Sequence, residues 1–286
     1  MNAIFELLRW NKPSGRLILL IPAGWSLWLT PGSNLSLSLV FKIFLGGLLV
    51  SGFGCIVNDI WDRGIDKKVV RTMNRPLASN RLRLSNAYGL LMIFIVLSFL
   101  LTLTLPEKGR LLAICLAFIS LPFIIIYPSA KRWFKFPQLI LSFCWGFAVL
   151  IPWAAQEGNL NSYVLFFCWI ATLFWTFGFD TVYALADKKY DLELGINSSA
   201  INLKSNTKVV IQICYLFTSL SLSICAFLNN LSFIIWPVII ITALLMQRDV
   251  INLYKTKSEL IIRVGKHFQN QVIYGCLILL GIIISK

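Results

Sequence analysis

Apolar residues run along this chain in long blocks. Nine stand out, over residues 17–30, 36–57, 86–104, 111–128, 137–154, 162–182, 208–228, 231–247 and 269–284, each near the roughly 20 residues a helix needs to cross a bilayer core. Inside such a block no water can pair with backbone N–H and C=O groups, so the segment must satisfy them internally as a helix. A transmembrane β-barrel would show apolar and polar residues alternating with a period of two, and that alternation is absent. The expected fold is all-α, a polytopic membrane protein of about nine transmembrane helices in one domain spanning residues 1–286.

Polar positions concentrate where two of these blocks end. Asn58-Asp59-Ile60-Trp61-Asp62, running on to Asp66, follows the second block, and Asp180, Asp187 and Asp191 close the sixth. A shift of four spans places both clusters on the same membrane side, a weak internal repeat relating spans 1–4 to spans 5–8. Each cluster is followed by a Pro-containing or small-polar stretch, Asn74-Arg75-Pro76-Leu77-Ala78-Ser79 and Asn197-Ser198-Ser199-Ala200. Repeats of helical units commonly enclose a site between them, so the two clusters are expected to face one another across a central cavity.

Residues four apart share one helix face. Asn58, Asp62 and Asp66 therefore form one stripe, with Asp59 about 100° away from it; Tyr183, Asp187 and Asp191 form another, with Asp180 on roughly the same face. Two facing stripes of carboxylates repel unless a cation lies between them. Magnesium takes oxygen ligands, keeps several waters and bridges one or two carboxylates to phosphate oxygens. Interfacial caps or solvated loop charges would explain one such stripe, but not two at matching positions. Arg71, Arg75 and Lys131, with Arg132 beside it, add guanidinium and ammonium groups suited to phosphate.

Composition fixes the solvent and the orientation. The chain is 58% hydrophobic and only 13% charged, against about 25% charged in soluble domains. Of its 26 Lys and Arg, all but Lys42, Lys108, Arg110 and Lys286 fall at the N-terminus or in the loops after spans 2, 4, 6 and 8. By the positive-inside rule that side, which holds the acidic clusters, is cytoplasmic or its topological equivalent. The membrane is then a bacterial inner membrane or a thylakoid or organellar counterpart. Met1–Arg16, with Trp10 and mixed charge, does not read as a cleaved targeting segment. The seven cysteines lie in or beside apolar spans without a C-x-x-C pair and read as small buried hydrophobes. His267, the single histidine, reads as a surface or loop residue. No nucleic-acid partner and no obligate protein partner is indicated.

Asn58-Asp59-x-x-Asp62-x-x-x-Asp66, Arg71, Asn74-Arg75-Pro76-Leu77, Tyr127-x-x-x-Lys131 and Asp180-x-x-Tyr183-x-x-x-Asp187-x-x-x-Asp191 resemble the UbiA superfamily of membrane aromatic prenyltransferases. Lys12-Pro13-Ser14-Gly15, Leu17 through Pro22 and Trp25-Ser26-Leu27-Trp28 further resemble its 4-hydroxybenzoate polyprenyltransferase branch. The resemblance implies nine helices around a central cavity, two Mg2+ ions held by Asp62, Asp66, Asp187 and Asp191, and a prenyl diphosphate whose tail lies in the bilayer. It also implies that Asn58 belongs to the catalytic set, and that Arg71, Arg75, Tyr127, Lys131, Asp180 and Tyr183 contact substrate. Metal would neutralise the departing diphosphate, and the resulting allylic cation would need a dry site with aromatic faces. Phe53, Trp145, Trp153, Trp175 and Phe177 are the candidates for those faces.

The expected reaction is Mg2+-dependent transfer of a polyprenyl group from its diphosphate to the ring of 4-hydroxybenzoate, ortho to the hydroxyl, in ubiquinone or plastoquinone synthesis. Alternatives are the same chemistry on homogentisate or a dihydroxynaphthoate, and a membrane transporter. Transport sites lie near the bilayer midplane in broken helices, whereas these acids lie at one end of their spans. A phosphotransferase of the CDP-alcohol type would need an Asp-Gly and Ala-Arg pair that is missing here.

Overall fold

The computed structural model describes residues 3–11, 13–32, 35–255 and 260–286; Lys12 of the Lys12-Pro13-Ser14-Gly15 element lies outside the described residues. Twelve α-helices follow one another: α1 (Ala3–Leu7), α2 (Ser14–Leu17), α3 (Leu20–Leu29), α4 (Leu37–Asp66), α5 (Leu84–Leu103), α6 (Glu107–Ala130), α7 (Pro137–Glu157), α8 (Tyr163–Glu193), α9 (Ser199–Asn202), α10 (Thr207–Leu228), α11 (Ile235–Leu253) and α12 (Leu260–Ser285). No strand occurs among the described residues. Eight of these helices are long and apolar enough to span a bilayer.

The first expected span differs. It is broken into α2 and the ten-residue α3, with a turn at Ile18-Leu19 in which the Ile21 N–H donates to the Ile18 carbonyl. Pro22 explains the break: it has no N–H to donate to the Ile18 carbonyl, and its ring crowds that oxygen. Almost all of α3 is buried, which suits a plug within the bundle better than a lipid-facing span.

The main core gathers α3, α7, α8, α10, α11 and α12 around Trp25, Trp153, Trp175 and Tyr215. Trp25 and Trp175 have ring centroids 5.0 Å apart, and each finds an acceptor for its N–H, at the Gly275 carbonyl and Gln271 Oε1 respectively. Gly109 lets α6 approach α7 closely, because a Cβ there would overlap the Ala154 carbonyl. Helix α5 is peripheral: it packs chiefly on α4 and buries only Ala87. Exposed Leu, Ile and Phe cover the outside, as expected where the surrounding solvent is lipid.

Helices α4 and α8 are the longest, 30 and 31 residues. Both continue well past the apolar blocks at 36–57 and 162–182, so the acidic clusters ride on helical extensions and the four-residue spacing does place them in stripes. α12 likewise begins nine residues before the expected 269, which corrects the reading of His267. That residue lies within α12, 3% exposed, with Nε2 2.6 Å from the Tyr215 hydroxyl. The cysteines divide: Cys168, Cys214 and Cys225 are buried, Cys55 and Cys144 partly so, and Cys115 and Cys276 stand on the outer surface.

Candidate active site

The C-terminal ends of α4, α6 and α8, with the start of α7, surround a polar cavity of about 180 Å³. Asn58, Asp62, Asp66, Arg71, Arg75, Tyr127, Lys131, Asp180, Tyr183, Asp187 and Asp191 all line it. Helix C-termini carry a partial negative charge that disfavours carboxylates. Four aspartates placed there, Asp62 and Asp66 on α4 and Asp187 and Asp191 on α8, therefore need cations nearby.

The structure supplies protein cations to three of them. Lys131 Nζ donates to Asp62 Oδ2 at 2.5 Å, Arg75 Nη1 donates to Asp66 Oδ2 at 2.9 Å, and Arg71 donates to both oxygens of Asp187, at 2.9 and 2.5 Å. Arg71 also donates to the Tyr183 hydroxyl at 2.9 Å and lies 5.4 Å over its ring. Burial works against the Arg71 charge, but Tyr183 and Asp187 outweigh it and raise its pKa above the ordinary arginine value. Among the described residues Asp191 forms no ion pair within 4.0 Å. The second oxygen of Asp62 is buried and accepts no hydrogen bond; Arg132, at 3.6 Å, is beyond hydrogen-bonding reach.

Sequence signals missed part of the lining. Thr72, Gln138, Asn197 and Ser198 also face the cavity. The small-polar Asn197-Ser198-Ser199-Ala200 stretch acts as a brace: Asn197 N–H donates to the Lys131 carbonyl at 2.7 Å, Ser199 N–H to Gln138 Oε1 at 2.8 Å, and Ser199 and Thr181 share a hydroxyl bond of 2.7 Å. This ties the loop after α8 to α6 and α7. Gln138, one amide at the head of an apolar helix, carries no motif that would mark it.

The aromatic candidates are corrected. None of Phe53, Trp145, Trp153, Trp175 and Phe177 lines the polar cavity, whose aromatic residues are Tyr127 and Tyr183. Trp153 and Trp175 fill the main core, and Trp145 packs on Phe179. Trp175 lies five residues before Asp180, about 140° round the helix from it, which turns it into the core. Phe53 lines a second, apolar cavity of about 310 Å³ between α3, α4, α5, α6 and α7. Gly46, Phe99, Ser120, Ile124 and Phe147 also line it. Its inner end, at Phe53 and Ile124, is roughly 5–8 Å along the helix axes from Asn58 and Tyr127. Val96, Phe99 and Phe118 at its rim are exposed on the outer surface, so the cleft opens to the lipid side.

The oxygen-only donor set fits a hard divalent cation. Among the described residues no three acidic, histidine or cysteine side chains converge on one point, as expected where Asp62, Asp66 and Asp187 are each drawn toward a Lys or Arg of their own. Magnesium needs only one or two carboxylates when phosphate supplies other ligands, and the unpartnered Asp62 oxygen is a ready donor.

Residues 19–267 match the sequence model of the UbiA prenyltransferase family. The chain belongs to that family. Among curated relatives, the 4-hydroxybenzoate solanesyltransferase of Synechocystis sp. is 48% identical over 69% of this chain and 66% of its own length, just under two thirds of that protein. The 4-hydroxybenzoate octaprenyltransferase of Psychromonas ingrahamii is 35% identical over 87% of this chain and 85% of its own. In fold, the chain is similar to a UbiA homolog from Aeropyrum pernix K1, with a TM-score of 0.74 at 21% identity over 93% of this chain and 96% of that one. A UbiA homolog from Archaeoglobus fulgidus, solved bound to GPP and Mg2+, gives 0.64 at 18% identity over 97% and 99%. This UbiA family member is thus an integral membrane protein.

Proposed function

We propose that this protein transfers a polyprenyl group from polyprenyl diphosphate to the ring of 4-hydroxybenzoate, ortho to its hydroxyl, in ubiquinone or plastoquinone synthesis. The carrying observation is the meeting of two aspartate stripes and three basic side chains around one cavity, one helix turn or so from an apolar cleft open to lipid. Family membership and the names of the relatives fix the chemical class.

Asp62, Asp66, Asp187 and Asp191 would hold Mg2+, which when bound neutralises the leaving diphosphate and acts as a Lewis acid. Lys131, Arg71 and Arg75 are then released from those carboxylates onto phosphate oxygens, so that each charge changes partner and none is left alone. Asn58 and Tyr127 stand at the inner wall, between the diphosphate site and the apolar cleft, where the allylic carbon would lie. Tyr183 and Tyr127 are the aromatic residues lining the cavity and would offer π density to a developing allylic cation without a strong nucleophile. The cleft seats the isoprenoid tail and excludes water from the reacting carbon. The allylic C–O bond would break with its electron pair passing to diphosphate, the electron-rich ring carbon would form the new C–C bond to the cation, and the proton on that carbon would pass to water, restoring the aromatic ring.

The clustering of Lys and Arg supports a cytoplasmic-side site. The testing experiment incubates membrane-embedded protein with radiolabelled 4-hydroxybenzoate, a polyprenyl diphosphate and Mg2+, with EDTA as control. Lipid-soluble label requiring donor and metal is expected. Product only with homogentisate or a dihydroxynaphthoate would move the acceptor, and no product with any acceptor would overturn the reading.

A further inference from the structure

Asp59 is the acid of the first cluster that the cavity does not use. It lies off the Asn58-Asp62-Asp66 stripe, and its side chain is 1% exposed. Two arginines share it. Arg9 takes the better geometry, Nη2 donating to Oδ1 at 2.5 Å with Nη1 3.5 Å from Oδ2. Arg75 reaches only Oδ1, at 3.3 Å, while the same Nη1 donates to Asp66 at 2.9 Å.

Arg9 holds this position in an unfavourable backbone conformation. The Arg9 N–H donates to the Glu6 carbonyl and the Trp10 N–H to the Phe5 carbonyl, both at 3.0 Å. These are the paired bonds of a Schellman cap that place Arg9 where glycine serves best. Its φ of +58° is left-handed, uncommon for a residue with a side chain. A second bridge, Arg81 to Glu6 at 2.5 Å, ties the same short helix to the loop that carries Arg71 and Arg75. A strained residue persists only where its surroundings hold it, and here the holding group is Asp59.

We propose that Arg9 is a positioning residue for diphosphate: by occupying Asp59 it prevents that carboxylate from capturing Arg75, leaving Arg75 for the substrate. The inference rests on the proposed function of the cavity. An unshared Asp59 would take the Arg75 guanidinium in two parallel N–H···O bonds, the strong pairing for these groups, and hold it behind the cavity wall. With Arg9 seated, Asp59 is already neutralised, and Arg75 is kept within reach by one long contact.

Calorimetric titration of the full chain in detergent with inorganic diphosphate and Mg2+ tests this. Arg9→Gln is expected to weaken diphosphate binding roughly tenfold, and to raise the donor KM more than it lowers kcat. Arg9→Lys recovers part of the loss. Arg9→Gly, which relieves the left-handed strain, binds as weakly as Arg9→Gln at an unchanged melting temperature. The double variant Arg9→Gln/Asp59→Asn regains most of the affinity, because the competing carboxylate is gone; a merely structural role would make affinity follow the melting temperature, both falling in Arg9→Gln and both returning in the double variant. Arg9→Gln binding like the unaltered protein, or a double variant no better than Arg9→Gln, would overturn the proposal. No binding by the unaltered protein would overturn the reading of the cavity itself, and the inference with it.

Discussion

Replacing Lys131 by methionine separates the two halves of the charge exchange. Lys131 Nζ stands 2.5 Å from Asp62 Oδ2, with side-chain exposures of 22% and 7%, so any metal taking Asp62 competes with it. The bare Coulomb attraction at that distance is roughly 7 kcal/mol at an effective dielectric near 20. Desolvation cancels most of this, and solvent screens the part-exposed lysine, leaving about 1–2 kcal/mol, between an exposed ion pair and a fully buried hydrogen bond to a charged group. Removing that competitor should tighten the binding of Mg2+ alone by roughly 5- to 30-fold. The same change deletes a phosphate ligand, so diphosphate measured in saturating Mg2+ should bind more weakly by a similar factor. The opposite signs make the test sharp, since damage to the fold would weaken both. Calorimetry of Mg2+ alone, then of diphosphate, reads the two effects, and a thermal melt checks the fold. Unchanged or weaker Mg2+ binding would refute the view that Lys131 and the metal compete for Asp62.

Asp62→Asn and Asp187→Asn should each lower prenyl transfer on the order of a thousandfold or more while the protein still melts cooperatively; near-normal turnover of radiolabelled 4-hydroxybenzoate in both would sink the metal–diphosphate assignment. Gly46→Leu, which projects a side chain into the apolar cleft where only Leu101 lies at 3.4 Å, should spare turnover of geranyl diphosphate and lower that of long polyprenyl diphosphates by about tenfold, read as kcat/KM against chain length. Equal loss with all donors would remove the tail from this cleft. Tyr215→Phe should cost about 1–3 kcal/mol of stability by stripping buried His267 Nε2 of its partner, with little effect on turnover; an unchanged melting curve would contradict that role.

Legible in the chain alone were the helical membrane architecture, the grouping of the acids at one end of their spans, and eleven of the side chains that line the polar cavity. The physical reason is that these properties are local or periodic. Block length reports a bilayer, and a four-residue spacing reports a helix face. Tertiary structure decided what depends on contacts between distant segments. His267 looked like an interfacial residue because its neighbours are polar, yet α12 starts early and Tyr215, 52 residues away, buries it. The tryptophans and Phe177 proposed for the cavity went elsewhere because aromatic content does not encode helical phase relative to a site. Pro22 shortened the first span through a clash that hydropathy does not register. Asp59 shows the limit most clearly: spacing alone set it off the stripe, but only the folded chain brings Arg9, 50 residues earlier, against it and leaves Arg75 for the cavity.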